Sequence, residues 1–217
     1  MKLKRRSNPV DVIVYSGAPG REEMPKGIES AEGQVLAWFE AGEFEKAINL
    51  INSSGVRLDI WDICLVIARF ESMAAEALQR NDFVTIRQLR YRKESLLSFC
   101  NGGFDADKLI PPVRMSEGYC GKILLVSISG GVIGEMVCLR SDDLHHRDIL
   151  RNTELEIQDL GLHGSRVREL GGASVRSEPD GSMCIWGGSD DFGACDKEFA
   201  AMLIKKMYPG KIIIILD

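Results

Sequence analysis

The sequence lacks an apolar run of membrane-spanning length. Its longest apolar stretches, near residues 122–128 and 211–216, are strand-sized, whereas a helix that crosses a bilayer needs roughly 20 apolar residues. No membrane contact is expected. It also lacks any C-x-x-C spacing, because Cys64, Cys100, Cys120, Cys138, Cys184 and Cys195 stand apart. A zinc site needs ligands paired at short spacing, so neither a metal nor another cofactor is expected. With no secretory signal, isolated thiols point to a reducing, cytoplasmic-type compartment. A cytoskeletal or organellar assembly stays open. Basic excess is missing too. The net charge is −5; residues 1–115 carry 16 basic and 16 acidic groups, and residues 116–217 carry 11 and 16. A general binder of phosphate backbones shows a basic face, so nucleic acid is not an expected partner. The cluster Arg87, Arg90, Arg92 and Lys93 reads as a solvated helix face.

What is present divides the chain. Residues 1–30 read as an extended leader, rich in Pro and Gly, with one possible strand at 10–15. Its start, Met1-Lys2-Leu3-Lys4-Arg5-Arg6-Ser7, is basic. That suits a targeting segment, a contact with an acidic partner or a solvated tail. Residues 31–100 turn helical. Val35, Trp38, Phe39, Phe44, Ala47, Ile48 and Ile51 predict a helical hairpin turning at Gly42. Ile60, Ile63, Cys64, Ile67, Phe70, Met73, Ala74, Ala77 and Leu78 predict the apolar stripe of a long third helix. Asp82 is the expected N-cap of a fourth. A small antiparallel bundle is expected here. Residues 74–97 also faintly resemble the helical hairpin of UVR-type interaction motifs. Residues 101–117, with Pro111-Pro112, read as a linker.

From residue 118 strand and helix signals alternate. Strands are expected at 122–129, 132–139, 166–170, 173–177, 182–186 and 211–216, with helices at 144–160 and 196–207. Glu178-Pro179-Asp180-Gly181 predicts a hairpin turn. The fold class expected is α+β: a mixed β-sheet flanked by helices over 118–217, after a helical bundle.

Four short segments follow in order: Leu144-His145-His146-Arg147-Asp148-Ile149, Leu170-Gly171-Gly172-Ala173, Ile185-Trp186-Gly187-Gly188-Ser189-Asp190-Asp191-Phe192-Gly193 and Lys205-Lys206-Met207-Tyr208-Pro209-Gly210. Together they resemble the boxes of the Janus/Ocnus family, the eukaryotic phosphohistidine phosphatases. The resemblance covers only the C-terminal half. It implies the mixed-sheet fold, no metal, and His146 as the single catalytic histidine.

The resemblance assigns further roles. Gly188, Ser189 and Asp191 fall in a turn whose backbone N–H groups and serine hydroxyl hold phosphate, as an amide nest does. Lys122 matches a lysine that borders the pocket. Arg147 follows the histidine. Where the family places an arginine after the Leu-Gly-Gly box, this chain has Ser174, and Arg176 two residues on could substitute, on the same strand face. Ser141, Asp142 or Asp143 could cap the histidine's helix. A first-turn histidine sits at the positive helix end, which favours a neutral imidazole able to take a proton or attack phosphorus. Asp190 and Asp191 would repel a dianion if they faced it, so weak or absent turnover is expected, partly rescued by Asp191→Ala. Two functions follow from the resemblance. One is a phosphatase acting on phosphorylated protein side chains. The other is a non-catalytic docking subunit, held in a larger protein assembly through the leader and the helical region.

Overall fold

A computed structural model describes residues 30–142 and 145–216. The leader, including the strand expected at 10–15, lies outside the described residues, as do Asp143 and Leu144. Four helices come first: α1 (Ala31–Ala41), α2 (Phe44–Ser54), α3 (Ile60–Gln79) and α4 (Phe83–Asn101). Their ends obey local chemistry. Ser30, Asp59 and Asp82 cap α1, α3 and α4 by accepting from the amides of Gly33, Trp61 and Thr85, which satisfies donors that a helix start leaves unpaired. Gly42 closes α1 at φ 80°, in the left-handed region, where a Cβ is disfavoured.

The stretch expected as a linker contains a 3₁₀ turn, Ala106–Leu109, and a two-residue edge strand, β1 (Val113–Arg114). Then come β2 (Gly121–Gly130), β3 (Ile133–Asp142), α5 (His146–Asp159), β4 (Ser165–Ser177), β5 (Met183–Trp186), α6 (Lys197–Met207) and β6 (Ile213–Ile215). The sheet order is β1-β3-β2-β4-β5-β6. β1 with β3 and β5 with β6 pair in parallel, and the other pairs are antiparallel. The fold is therefore α+β with a mixed sheet, as the sequence predicts.

Two strands expected at 166–170 and 173–177 are one. Gly171 and Gly172 do not break β4. Gly171 takes φ 99°, and the β2–β4 register slips between Leu124 and Val126, opposite Gly172 and Glu169. This is a bulge of the kind glycine permits.

Alternation along β2 sends Leu124, Val126 and Ile128 to one face and Ile123 and Leu125 to the other. The second face packs on α6 through Ala200, Leu203 and Ile204. The first face shares a core with α5 and with the N-terminal helices through Phe39, Phe44, Phe70, Leu96 and Phe99. The contact is close. A Cβ on Gly161 would lie 2.3 Å from the Gly42 carbonyl oxygen, and the Phe44 amide donates to the Leu160 carbonyl at 3.1 Å.

The stripe expected on α3 is only half right. Ile63, Val66, Phe70 and Ala77 are buried, whereas Ile60, Cys64, Met73 and Leu78 are exposed. Apolar residues stand around most of this helix, so periodicity alone could not say which side faces in. Among the described residues, no helix is long and apolar enough to cross a membrane.

Candidate active site

The site begins where β3 hands the chain to α5. Ser141 and Asp142, expected as caps, still belong to β3. The Ser141 hydroxyl donates to the Arg114 carbonyl at 2.9 Å, and Asp142 accepts from the Asn152 amide at 3.3 Å. Both side chains are occupied, so neither caps the helix. His145 takes the N-cap position without a side-chain bond to the helix.

His146 opens α5 and is 5% exposed. Its Nε2 lies 3.2 Å from the carbonyl oxygen of Ala173. A carbonyl can only accept, so Nε2 carries the proton and donates it. In the neutral imidazole the lone pair is then on Nδ1. The ring reaches β4 because Gly172 has no side chain. A Cβ there would lie 2.5 Å from His146 Cδ2 and Nε2 and 3.0 Å from Ser189 Cβ. His146 and Ser189 are thus neighbours across one missing methyl. That is well within the roughly 10 Å over which one phosphate could bridge hydrogen bonds of about 3 Å.

The turn at 187–193 is a closed loop. Ser189 and Gly193 exchange backbone hydrogen bonds at 3.0 and 2.9 Å. It is pinned to β4 by Gly172 N–H to the Gly193 carbonyl and by Cys195 N–H to the Gly172 carbonyl, both 3.0 Å. The Ser189 hydroxyl oxygen, in a residue 7% exposed, accepts from the amides of Asp191 and Phe192 at 3.3 Å each. Two amides expected to face phosphate are therefore held by serine, whose O–H is donated to no acceptor among the described residues. Among the described residues, the amides of Gly188 and Asp190 donate to no protein acceptor.

The charged residues divide. Arg147 Nη2 lies 2.6 Å from Asp191 Oδ1, so this carboxylate carries its own counter-ion. Lys122 stands opposite Ser174 in register, and its Nζ is 3.4 Å from His145 Nδ1. An ammonium only donates, so His145 Nδ1 accepts. Arg176 is not among these neighbours. Its Nε pairs with Glu178 at 2.5 Å and its guanidinium lies 5.3 Å from the Trp186 ring centroid. The pairing raises the Arg176 pKa and lowers that of Glu178. Arg176 thus has a partner of its own and does not join the His146 cluster.

Arg140, the other arginine near the motifs, is 3% exposed and bonds the Pro111 and Leu139 carbonyls beside Glu156. Gly172 and the Ala173 carbonyl are further parts of the site, to which the motifs assign no role. Their signal was the Gly-Gly pair before Ala173, which clears room beside the strand.

Residues 108–211 match the model of the Janus/Ocnus family (Ocnus). This half of the chain belongs to the Janus/Ocnus family. A search of curated proteins found no match. His146, the 187–193 turn, Lys122, Arg147 and Arg176 all lie within the Janus/Ocnus residues, and α1–α4 precede them.

Proposed function

We propose that the Janus/Ocnus half is a metal-independent phosphatase for phosphorylated protein side chains, phosphohistidine first among them. The observation that carries this reading is the His146–Ala173 hydrogen bond. It puts the proton on Nε2, so in the neutral ring the Nδ1 lone pair is the one turned away from the Ala173 carbonyl.

As a general base, His146 Nδ1 takes a proton from water as the water oxygen attacks phosphorus and the bond from phosphorus to the substrate nitrogen breaks, the leaving nitrogen keeping the bonding pair and taking a proton from solvent. The imidazolium so formed keeps its Nε2–H on the Ala173 carbonyl, whose partial negative charge stabilises it. The Ser189 hydroxyl and the amides of Gly188 and Asp190 supply donors for phosphate oxygens. Lys122 supplies positive charge at the rim.

The test is hydrolysis of a phosphohistidine peptide by the purified chain. Phosphate release that falls by about 10²-fold or more in His146→Ala, the usual range for a lost acid–base group, supports the reading. Release that is equal in the two proteins defeats it.

The Arg147–Asp191 pair revises the expectation about charge. A paired carboxylate repels a dianion less than a bare one. Asp191→Ala removes that repulsion and also frees a guanidinium. Arg147→Ala does the reverse, leaving Asp191 uncompensated. We expect kcat/KM to rise about two- to tenfold in the first and to fall by a similar factor in the second, as charges a few ångströms apart near a surface allow. Equal rates in both variants would show that the pair does not face the substrate.

A second reading, a non-catalytic docking subunit, draws support from the apolar surface that α3 leaves uncovered. Inactivity of the wild-type chain toward phosphorylated peptides would favour it.

A further inference from the structure

Helices α3 and α4 form a hairpin, joined by the turn at residues 80–82, and their register is fixed in two places. Lys93 Nζ donates to the Glu71 carboxylate. Beside that bond, Phe70 and Ala74 of α3 line one groove with Leu89 and Arg90 of α4. In an antiparallel pair, a step toward the start of one helix matches a step toward the end of the other. Seven residues make about two turns and return a side chain to nearly the same side of its helix. Seven positions back from Glu71 stands Cys64, and seven positions on from Lys93 stands Cys100. The two thiols therefore lie at one level, on the same rim of the same seam, at the open end of the hairpin.

Burial and charge agree with this placement. Cys64 is exposed, and Cys100 is half-buried against the bundle core. Burial pushes the Cys100 thiol up to about 11, and the charge of a Cys64 thiolate adds to the rise, as a like charge does at short range. The other four cysteines make no such pair. Cys138 and Cys195 belong to the cores on opposite faces of the sheet. Cys184 stands opposite Arg176 on one side of β4, and Cys120 accepts from the Ser177 amide on the other side. A whole strand separates these two, which sets them about 9–10 Å apart. A disulfide spans no more than roughly 7 Å between Cα atoms.

We propose that Cys64 and Cys100 are a peroxide-responsive dithiol that closes to a disulfide across the open end of the hairpin. Cys64, the accessible thiol, reacts first. Its sulfur attacks a peroxide oxygen, the O–O bond breaks, water leaves, and Cys64 becomes a sulfenic acid. Cys100, protonated at neutral pH, is the resolving thiol. Its sulfur attacks the Cys64 sulfur, the S–O bond breaks, and the departing hydroxide takes the Cys100 proton as water. Two thiols have lost two electrons, and the peroxide has gained them. An external dithiol reverses the step by exchange.

The test uses the full-length chain, reduced, freed of reductant and treated with a few equivalents of hydrogen peroxide. Its unreduced peptides are then mapped by mass spectrometry. The expected product is a single chain lighter by two hydrogens, with Cys64 and Cys100 in one cross-linked peptide. Closing that loop raises the melting temperature by roughly 4–16 °C over the reduced chain, and dithiothreitol restores the starting value. Cys100→Ser leaves Cys64 as a sulfenic acid that dimedone traps. Cys64→Ser slows oxidation of Cys100 at least about tenfold. Circular dichroism verifies that both variants keep the fold of the reduced chain. A wild-type chain in which Cys64 runs on to a sulfinic acid while Cys100 stays a thiol overturns the proposal. So do disulfides that join two chains or that use other cysteines.

Discussion

Gly172→Ala should silence the site as thoroughly as removing His146, although it leaves the imidazole in the chain. The added methyl would stand 2.5 Å from two ring atoms of His146 and 3.0 Å from Ser189 Cβ. Neither neighbour is a flexible tip. The ring is held by Ala173, and Ser189 by its two loop amides. One of them must move, and the tautomer-setting hydrogen bond goes with the ring. A displacement of about 1 Å can cost 10²-fold in rate, and loss of the oriented base adds to it. We expect phosphohistidine hydrolysis to fall about 10²- to 10⁴-fold, with a stability loss of about 1–3 kcal/mol from overpacking. Rate and melting temperature are to be measured together. An active Gly172→Ala would mean that the geometry around His146 is not the catalytic one.

Glu156→Ala should be the most destabilising single change. Glu156 is 3% exposed and faces two cations: Arg114 Nε at 3.0 Å and Arg140 Nε at 3.3 Å. Arg140 is itself buried, and Arg114 stacks 4.0 Å over the Tyr91 ring on α4. Truncating one member of a buried ion pair strands the remaining charge and typically costs about 3–5 kcal/mol. In a chain of this size that lowers Tm by roughly 6–20 °C. Glu156→Gln keeps the shape and one acceptor, so it should lose less. Double substitution of Arg140 and Glu156 by apolar residues of similar volume should recover much of the deficit. If Glu156→Ala melts like the wild type, the two arginines have water or other acceptors that make the carboxylate dispensable.

Much of this architecture could be read from the residues. The glycine at position 42 and the acidic cap at 82 mark helix ends by chemistry that acts within a few residues, and both expectations hold. The order of motifs gave the family of the C-terminal half, and with it the mixed sheet. Three things could not be read. The edge strand β1 consists of two residues, too few for any alternation to show, and it is defined only by its pairing with β3, where Val113 and Arg114 stand opposite Leu139 and Arg140. The inner side of α3 could not be told from the outer, because both are apolar. The counter-ion of Asp191 lies on another element, and nothing in the sequence announces that position 147 will reach it. Pairings between distant segments are set by tertiary geometry, which local pattern does not encode.

The shared core has a consequence for synthesis. Phe39, Phe44 and Phe99 pack against Leu124, Val126 and Ile128, so the helices leave the ribosome before the sheet they rest on has been made. At about 5–20 residues per second, the aromatic faces of α1 and α2 wait several seconds for their counterpart. During that interval the nascent chain offers the cell an uncovered apolar surface, and a chaperone or a neighbouring nascent copy has its best opportunity to bind there.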